Sequence, residues 1–283
     1  MRWGSGRQRT LLFAGAVVAV LTVVVSGCSA TGSRAPARVV VSGQARLDPQ
    51  TDSAVLPLDK YAGSTNSVID YAQLLDTKAC MAGKGFDFPI PQYYPGQENT
   101  LGWRLFGLWD MSEAEQYGYS APPNPGAAAG LKIQQSEQLT PAENAALPGC
   151  EQRSQSRFPD DANGLAHELG GEAYGQTLND ATGKKIIAQW NRCMRSQGIK
   201  LNATAAGPLV PAVTDSGSPA DQILLAVKDV QCKTKYNVAQ RLGDIDASYQ
   251  VVLIRADQAA LNQELKKNNA VYAAADKYLT AHE

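Results

Sequence analysis

Apolar and polar residues alternate with a helical period through most of this chain. Val68, Tyr71, Ala72, Leu75 and Ala79 recur three or four apart and predict one helix. Ile186, Ile187, Trp190 and Met194 predict another across 184–198. Residues 151–180 connect them, with a broken helix expected around Ala166–Tyr174, where the glycines interrupt the pattern. From Ala220 to Glu283 there is no proline and one glycine, Gly243. Val238, Leu242, Ile245, Tyr249, Val252, Ala256 and Ala259 step by four and three like a coiled-coil seam, which then slips to Leu261, Leu265, Tyr272, Ala275 and Leu279. Gly243-Asp244 is where this region is expected to turn into a hairpin or bend. Extended, aromatic sequence interrupts the helices at 86–109, with Pro89, Pro91 and Pro95 interleaved. Ser112-Glu113-Ala114-Glu115 carries a helix-start signature, and Tyr117-Gly118-Tyr119 ends that short helix. The fold class is therefore mainly α, with at most a small sheet and a strand at Val39–Val41 as its weakest member.

The cysteines organise this pattern. Aligned at an offset of 113 residues, Cys80-Met81 falls on Cys193-Met194 and Gly85 on Gly198. Each segment reads as a helix ending in Cys-Met, stopped by a glycine, with an apolar residue following as in Schellman endings. Thr140-Pro141-Ala142-Glu143 before Cys150 and Ser218-Pro219-Ala220-Asp221 before Cys232 both read as helix starts, with a hydroxyl cap, proline at the first position and an acid near the positive end of the dipole. Four cysteines allow three pairings. The repeat favours Cys80–Cys150 and Cys193–Cys232, one staple in each of two units, 67–160 and 161–283. Neither pair has Cys-x-x-Cys spacing or a common zinc pattern, so both are expected to be structural.

The first residues carry an address. Arg2, Arg7 and Arg9 precede an uncharged apolar run from Leu11 to Val25, too short for the ~20 residues of a membrane-spanning helix. Val25-Ser26-Gly27-Cys28 resembles the lipobox of bacterial lipoproteins. The resemblance implies cleavage before Cys28, diacylation of its thiol and residence on the extracytoplasmic face of a cell membrane; an ordinary secretory signal cut nearby is the alternative. Two acyl chains suffice for stable anchoring. Residues 28–66, rich in Ser, Ala, Thr, Gly and Pro, read as a flexible tether. Without the three arginines of residues 1–27, the 26 basic residues become 23 against 27 acidic ones, which argues against nucleic acid as a partner.

The lipobox, the two Cys-Met-x-x-x-Gly segments, Tyr117-Gly118-Tyr119, and Asp229-x-x-Cys232-Lys233 leading to Tyr249-Gln250-x-x-Leu253-Ile254 together resemble a group of uncharacterised actinobacterial lipoproteins. The resemblance covers most of the chain after residue 67 and implies a location and a cell type, but no activity.

No catalytic constellation stands out, and an enzyme is not expected. His167 lies in His167-Glu168-Leu169-Gly170-Gly171-Glu172, which lacks the second histidine of a zinc-protease helix, and reads as a solvated surface residue. His282 reads as frayed. There is no Gly-x-Ser-x-Gly elbow and no phosphate-binding glycine loop. Asp160-Asp161 reads as a turn, and Asp244 and Asp246 as helix caps. No metal or cofactor is expected. The chemistry-bearing stretch is aromatic: Tyr93, Tyr94, Trp103, Phe106, Trp109, Tyr117 and Tyr119 crowd together in a chain that is 7% aromatic overall. These residues suit a wall glycan or small solute, with Tyr93, Tyr94, Trp103 and Trp109 as the binding candidates, or else they cover the core. The leading expectation is a non-enzymatic envelope lipoprotein whose partner, besides the membrane, is another envelope protein or a cell-wall component.

Overall fold

The computed structural model describes residues 40–49, 52–62, 66–92, 102–123, 128, 130, 133, 139–160, 164–201, 209 and 218–282. Cys28, Tyr93, Tyr94 and Asp161 lie outside these residues. Helices dominate: α1 Asn66–Ala82, α2 Met111–Tyr117, α3 Pro141–Arg157, α4 Leu165–Asn179, α5 Ala181–Ser196, α6 Pro219–Lys235 and α7 Val238–Thr280. Two three-residue strands, β1 Arg46–Asp48 and β2 Ser53–Val55, pair antiparallel with Leu47 opposite Ala54.

The local signals of the repeat work as read. At the end of α1, Gly85 adopts φ 84° and the Phe86 amide donates to the Met81 carbonyl. At the end of α5, Gly198 adopts φ 77° and the Ile199 amide donates to the Met194 carbonyl. A Cβ is disfavoured at such angles, which is why glycine stops both helices. Thr140 with Glu143, and Ser218 with Asp221, form complete capping boxes at the starts of α3 and α6. Disulfides join Cys80 to Cys150 and Cys193 to Cys232, at Cα–Cα distances of 5.6 and 5.7 Å. Each ties a Cys-Met helix to a capped helix, and Met81 and Met194 beside them are fully buried. The start of α2 differs from expectation: Asp110, not Ser112, accepts from the Glu113 amide as the cap, because its extended backbone leaves the carboxylate facing the first turn.

The spine is α7, 43 residues and so about 65 Å long. The break expected at Gly243-Asp244 is absent. Chain reversal comes earlier, where Asn237 takes the left-handed conformation (φ 49°), and the helix departs from regular angles at Asp257. Gly243 answers a packing need, since a Cβ there would come within 2.7 Å of the Ala45 Cβ. Asp244 and Asp246 are interior helix residues, not caps. Asp244 instead accepts from the Ala45 amide at 3.0 Å and from Gln240 at 2.7 Å. The buried seam follows Val238, Leu242, Ile245 and Tyr249, then moves to Ile254 and Leu261 while Val252 stays half exposed. The helix is kinked at Asp257, and across this region the buried stripe leaves the expected Val252, Ala256 and Ala259.

Along α7 lie successive cores. Leu242, Ile245 and Tyr249 pack with Ile186, Trp190, Met194 and Phe106. Ile254 and Leu261 pack with Leu58, Tyr61, Ala166 and Leu169. Ala275, Tyr278 and Leu279 pack with Val68, Ile69, Ala72 and Phe158. Because α1 and α3 sit on the far end of α7 and α2 packs on α6, the two expected units do not separate: residues 36–283 form one body. His282 is not frayed, since its ring stacks 4.0 Å from Tyr278.

The tether ends earlier than expected. Residues 42–49 and 52–62 form a strap bound to α7: the amides of Ser42 and Gly43 donate to Ser248 Oγ at 3.0 and 2.9 Å, and the Leu58 amide donates to Gln250 Oε1 at 2.8 Å. Its glycine and alanine permit close approach to the helix, as at Gly43, where a Cβ would collide with the Ala247 backbone. Val40 and Val41, expected to form part of a strand, are exposed and unpaired with β1 or β2.

Candidate functional site

The strap, α4 and the middle of α7 form a half-open cavity of about 190 Å³. It begins with α4, which is continuous where a broken helix was expected. Ala166, Leu169, Ala173 and Thr177 repeat at helical spacing and are buried, so packing overrides the weak propensity of three glycines. Gly164 offers no capping side chain, and Glu264 of α7 substitutes: it accepts from the Leu165 and Ala166 amides at 2.8 and 3.1 Å, a negative group at the positive end of the helix.

Positions 166, 167, 170, 171 and 174 share the α4 face that lines the cavity. Leu56, Leu58 and Asp59 line it from the strap, Gln250 from α7, and Gly102 and Leu105 from the turn before α2. That turn is held by Arg104, which binds Asp52 through Nε at 3.0 Å, Glu113 through Nη2 at 2.8 Å and the Tyr119 carbonyl through Nη1 at 2.9 Å. Asp52 and Arg104 both have positive φ, 45° and 47°, strain that these bonds sustain. Gly102 lies so close to the Ala54 carbonyl that no Cβ fits.

The polar groups that line the site are Asp59, His167, Tyr174 and Gln250. His167, expected to be solvated, is partly buried, and its Nδ1 is shut from solvent without a hydrogen-bond partner. Asp59 Oδ2 accepts from the Leu56 amide at 2.7 Å, and burial raises the Asp59 pKa above the usual carboxylate range. Gln250, with its oxygen on the strap, donates at 2.7 Å to Asp246 behind the wall. Burial pushes the fully buried Asp246 up to about 7, against the bonds from Gln250 and Thr177 and helped by the nearby charge of Asp59. Burial, and then the charge of Asp246, raises Tyr174 as well. None of the ion pairs among the described residues includes Asp59 or Asp246.

Asp246 makes stability depend on pH. The folded protein holds its proton to about pH 7, whereas the unfolded chain releases it near 3.8, so the native state binds more protons between those values. Unfolding free energy should fall as pH rises across this window, by on the order of 3 kcal/mol, and level off above it. Asp246→Asn, which still accepts from Gln250, should remove most of that slope and be the more stable protein at pH 8. Denaturant titrations from pH 4 to 8 decide, and parallel pH profiles for the two proteins would refute the assignment.

The described part of the aromatic stretch packs as follows. Phe106 is fully buried in the main core, 6.1 Å from Tyr174 between ring centroids, and Trp109 packs against the same core. The Tyr119 hydroxyl donates to Asp229 at 3.0 Å. Trp103 is half-buried, pairs with Ser53 through its backbone, and lies under the Arg104 guanidinium at 4.9 Å. Neither Trp103 nor Trp109 lines the cavity beside α4, nor a second, apolar cleft of about 420 Å³ bounded by Leu74, Phe88, Pro91 and Leu147. Two signals pointed to the α4 site and were read otherwise. The Gly170-Gly171 pair looked like a helix break, and His167 lacked a second ligand. Gln250 stood out only as part of Tyr249-Gln250, and nothing in the sequence joined it to Asp59, 191 residues away.

Among the described residues, no group of three or more His, Cys, Asp or Glu side chains is placed to hold a metal ion. No family model matches the chain, and neither a curated protein nor a solved structure does.

Proposed function

We propose that this chain is a lipoprotein, held on the extracytoplasmic face of a cell membrane by acyl groups on Cys28. It acts there without catalysis, as a structural or interaction component of the envelope whose partner is another envelope protein or a wall component. The carrying observation is Val25-Ser26-Gly27-Cys28 at the end of an uncharged run behind three arginines. Two disulfides support the reading, because such bonds persist in oxidising compartments. Among the described residues no helix is long and apolar enough to cross a membrane, so the proposed attachment rests on the lipid.

In a bacterium that processes lipoproteins, the wild-type chain should take up labelled palmitate and sediment with membranes. Cys28→Ala should stay unlabelled and leave the membrane fraction, with both disulfides intact by mass spectrometry. A variant that sediments like the wild type would overturn the anchor.

A second reading, a lipoprotein that binds a small solute, is favoured by the half-open cavity beside α4.

A further inference from the structure

The cavity beside α4 exists because two side chains are missing. Gly170 and Gly171 line it in mid-helix, and a Cβ at either would meet nothing within 4 Å. Neither has positive φ, so no backbone conformation demands glycine there. Each costs the helix about 1 kcal/mol relative to alanine. Gly175 is equally unhindered but does not line the cavity. The glycine pair thus leaves open a volume that any larger residue would fill, and exposed Gly171 marks its mouth.

The walls define what enters. Leu56, Leu58, Leu105 and the Tyr174 ring give an apolar lining. Among the described residues, Asp59 brings a carboxyl group with no ion-pair partner and His167 a buried ring nitrogen with no hydrogen-bond partner. The neighbouring cation, Lys60, lies over the Tyr61 ring at 4.6 Å. A group that carries N–H donors and positive charge satisfies the Asp59 carboxyl and an accepting His167 Nδ1 together, whereas an anion meets the Asp59 carboxyl.

We propose that this cavity binds a small organic ammonium ion, its nitrogen received by Asp59 and His167 and its apolar body lying against Leu56, Leu58 and Leu105. An apolar cavity of about 150 Å³ admits benzene, so one of about 190 Å³ takes an amine of single-ring size. The inference is independent of whether Cys28 is lipidated.

Benzylammonium, benzyl alcohol and benzoate share one body and differ in charge, and titrating each into the full oxidised chain at pH 7 by calorimetry tests the idea. Benzylammonium should bind at least about tenfold more tightly than either of the others, the difference expected of a partly buried charge partner. Gly170→Leu should fill the cavity and abolish binding while its unfolding midpoint stays at or above that of the wild type. Asp59→Asn keeps an acceptor for the Leu56 amide. It should weaken benzylammonium about tenfold and leave benzyl alcohol unchanged, a comparison that decides even where Gly170→Leu misfolds. Benzylammonium that fails to bind, that binds Gly170→Leu or Asp59→Asn as tightly as wild type, or that benzoate equals, overturns the proposal.

Discussion

Replacing both Cys193 and Cys232 by alanine should lower the unfolding free energy by about 4 kcal/mol, and replacing Cys80 and Cys150 should lower it by a similar amount. The bridges span 39 and 70 residues. Closing loops of those lengths in the unfolded chain removes entropy that rises only logarithmically, so the two differ by less than about 1 kcal/mol. A domain has about 5–15 kcal/mol in all. Loss of one staple should therefore leave a folded protein with an earlier denaturant midpoint, and loss of both should leave little or none. The pairs should separate in their susceptibility to thiols. Cys193 and Cys232 lie in the main core, and Cys150 is fully buried, but Cys80 is only partly covered, so mild reductant should open Cys80–Cys150 first. Guanidinium unfolding of the three variants, with mass spectrometry of alkylated thiols, measures both effects. A loss below about 1 kcal/mol from either pair would mean that the unfolded chain already holds those helices together, and the loop-closure account would fail.

What could be read from the chain was local. Cys80-Met81 with Gly85, and Thr140 with Glu143, settle their helix ends within five residues, and the structure follows them. The repeat carried the disulfide pairing because both halves state the same helix-stop and helix-start grammar. What could not be read depends on distant partners. Residues 42–62 have a linker's composition, yet Ser248, Asp244 and Gln250, about two hundred positions away, receive their amides. Gly243 looks like a helix end because glycine propensity is low, but it sits in mid-helix where Ala45 presses against it. The start of α4 has no cap of its own and borrows Glu264. The same division applies to the site: the glycine pair was visible, while its meaning depends on what faces it from the strap and α7. The motif Asp229-x-x-Cys232-Lys233 was visible too, though its i,i+4 spacing said only that the two charges share a helix face.

Lys233→Met should destabilise the protein by about 3–5 kcal/mol, the largest loss expected from any single substitution away from the disulfides. Lys233 and Asp229 are both almost completely shut from solvent. The ammonium group binds Asp229 Oδ2 at 2.9 Å and the Leu108 carbonyl at 2.8 Å. The other carboxylate oxygen accepts from Trp190 Nε1 at 2.7 Å, and the Tyr119 hydroxyl completes the set. One ion pair thus joins α2's flanking turns, α5 and α6 beside the Cys193–Cys232 bridge. Methionine fills the volume of the lysine stem but leaves a buried carboxylate without its counter-charge and the Leu108 carbonyl without its donor. Asp229→Asn in the same chain removes the stranded charge and keeps an acceptor for Trp190, so the double variant should be more stable than Lys233→Met alone even though it carries one change more. Acid should also rescue the single variant: its unpaired carboxyl keeps a proton in the folded state well above the unfolded value, so the deficit should shrink from pH 8 to pH 5. Urea unfolding of wild type, both single variants and the double at those two pH values closes the cycle. Additive losses with no pH dependence would mean that Lys233 matters only as bulk, and that the charge pair does not hold these helices in place.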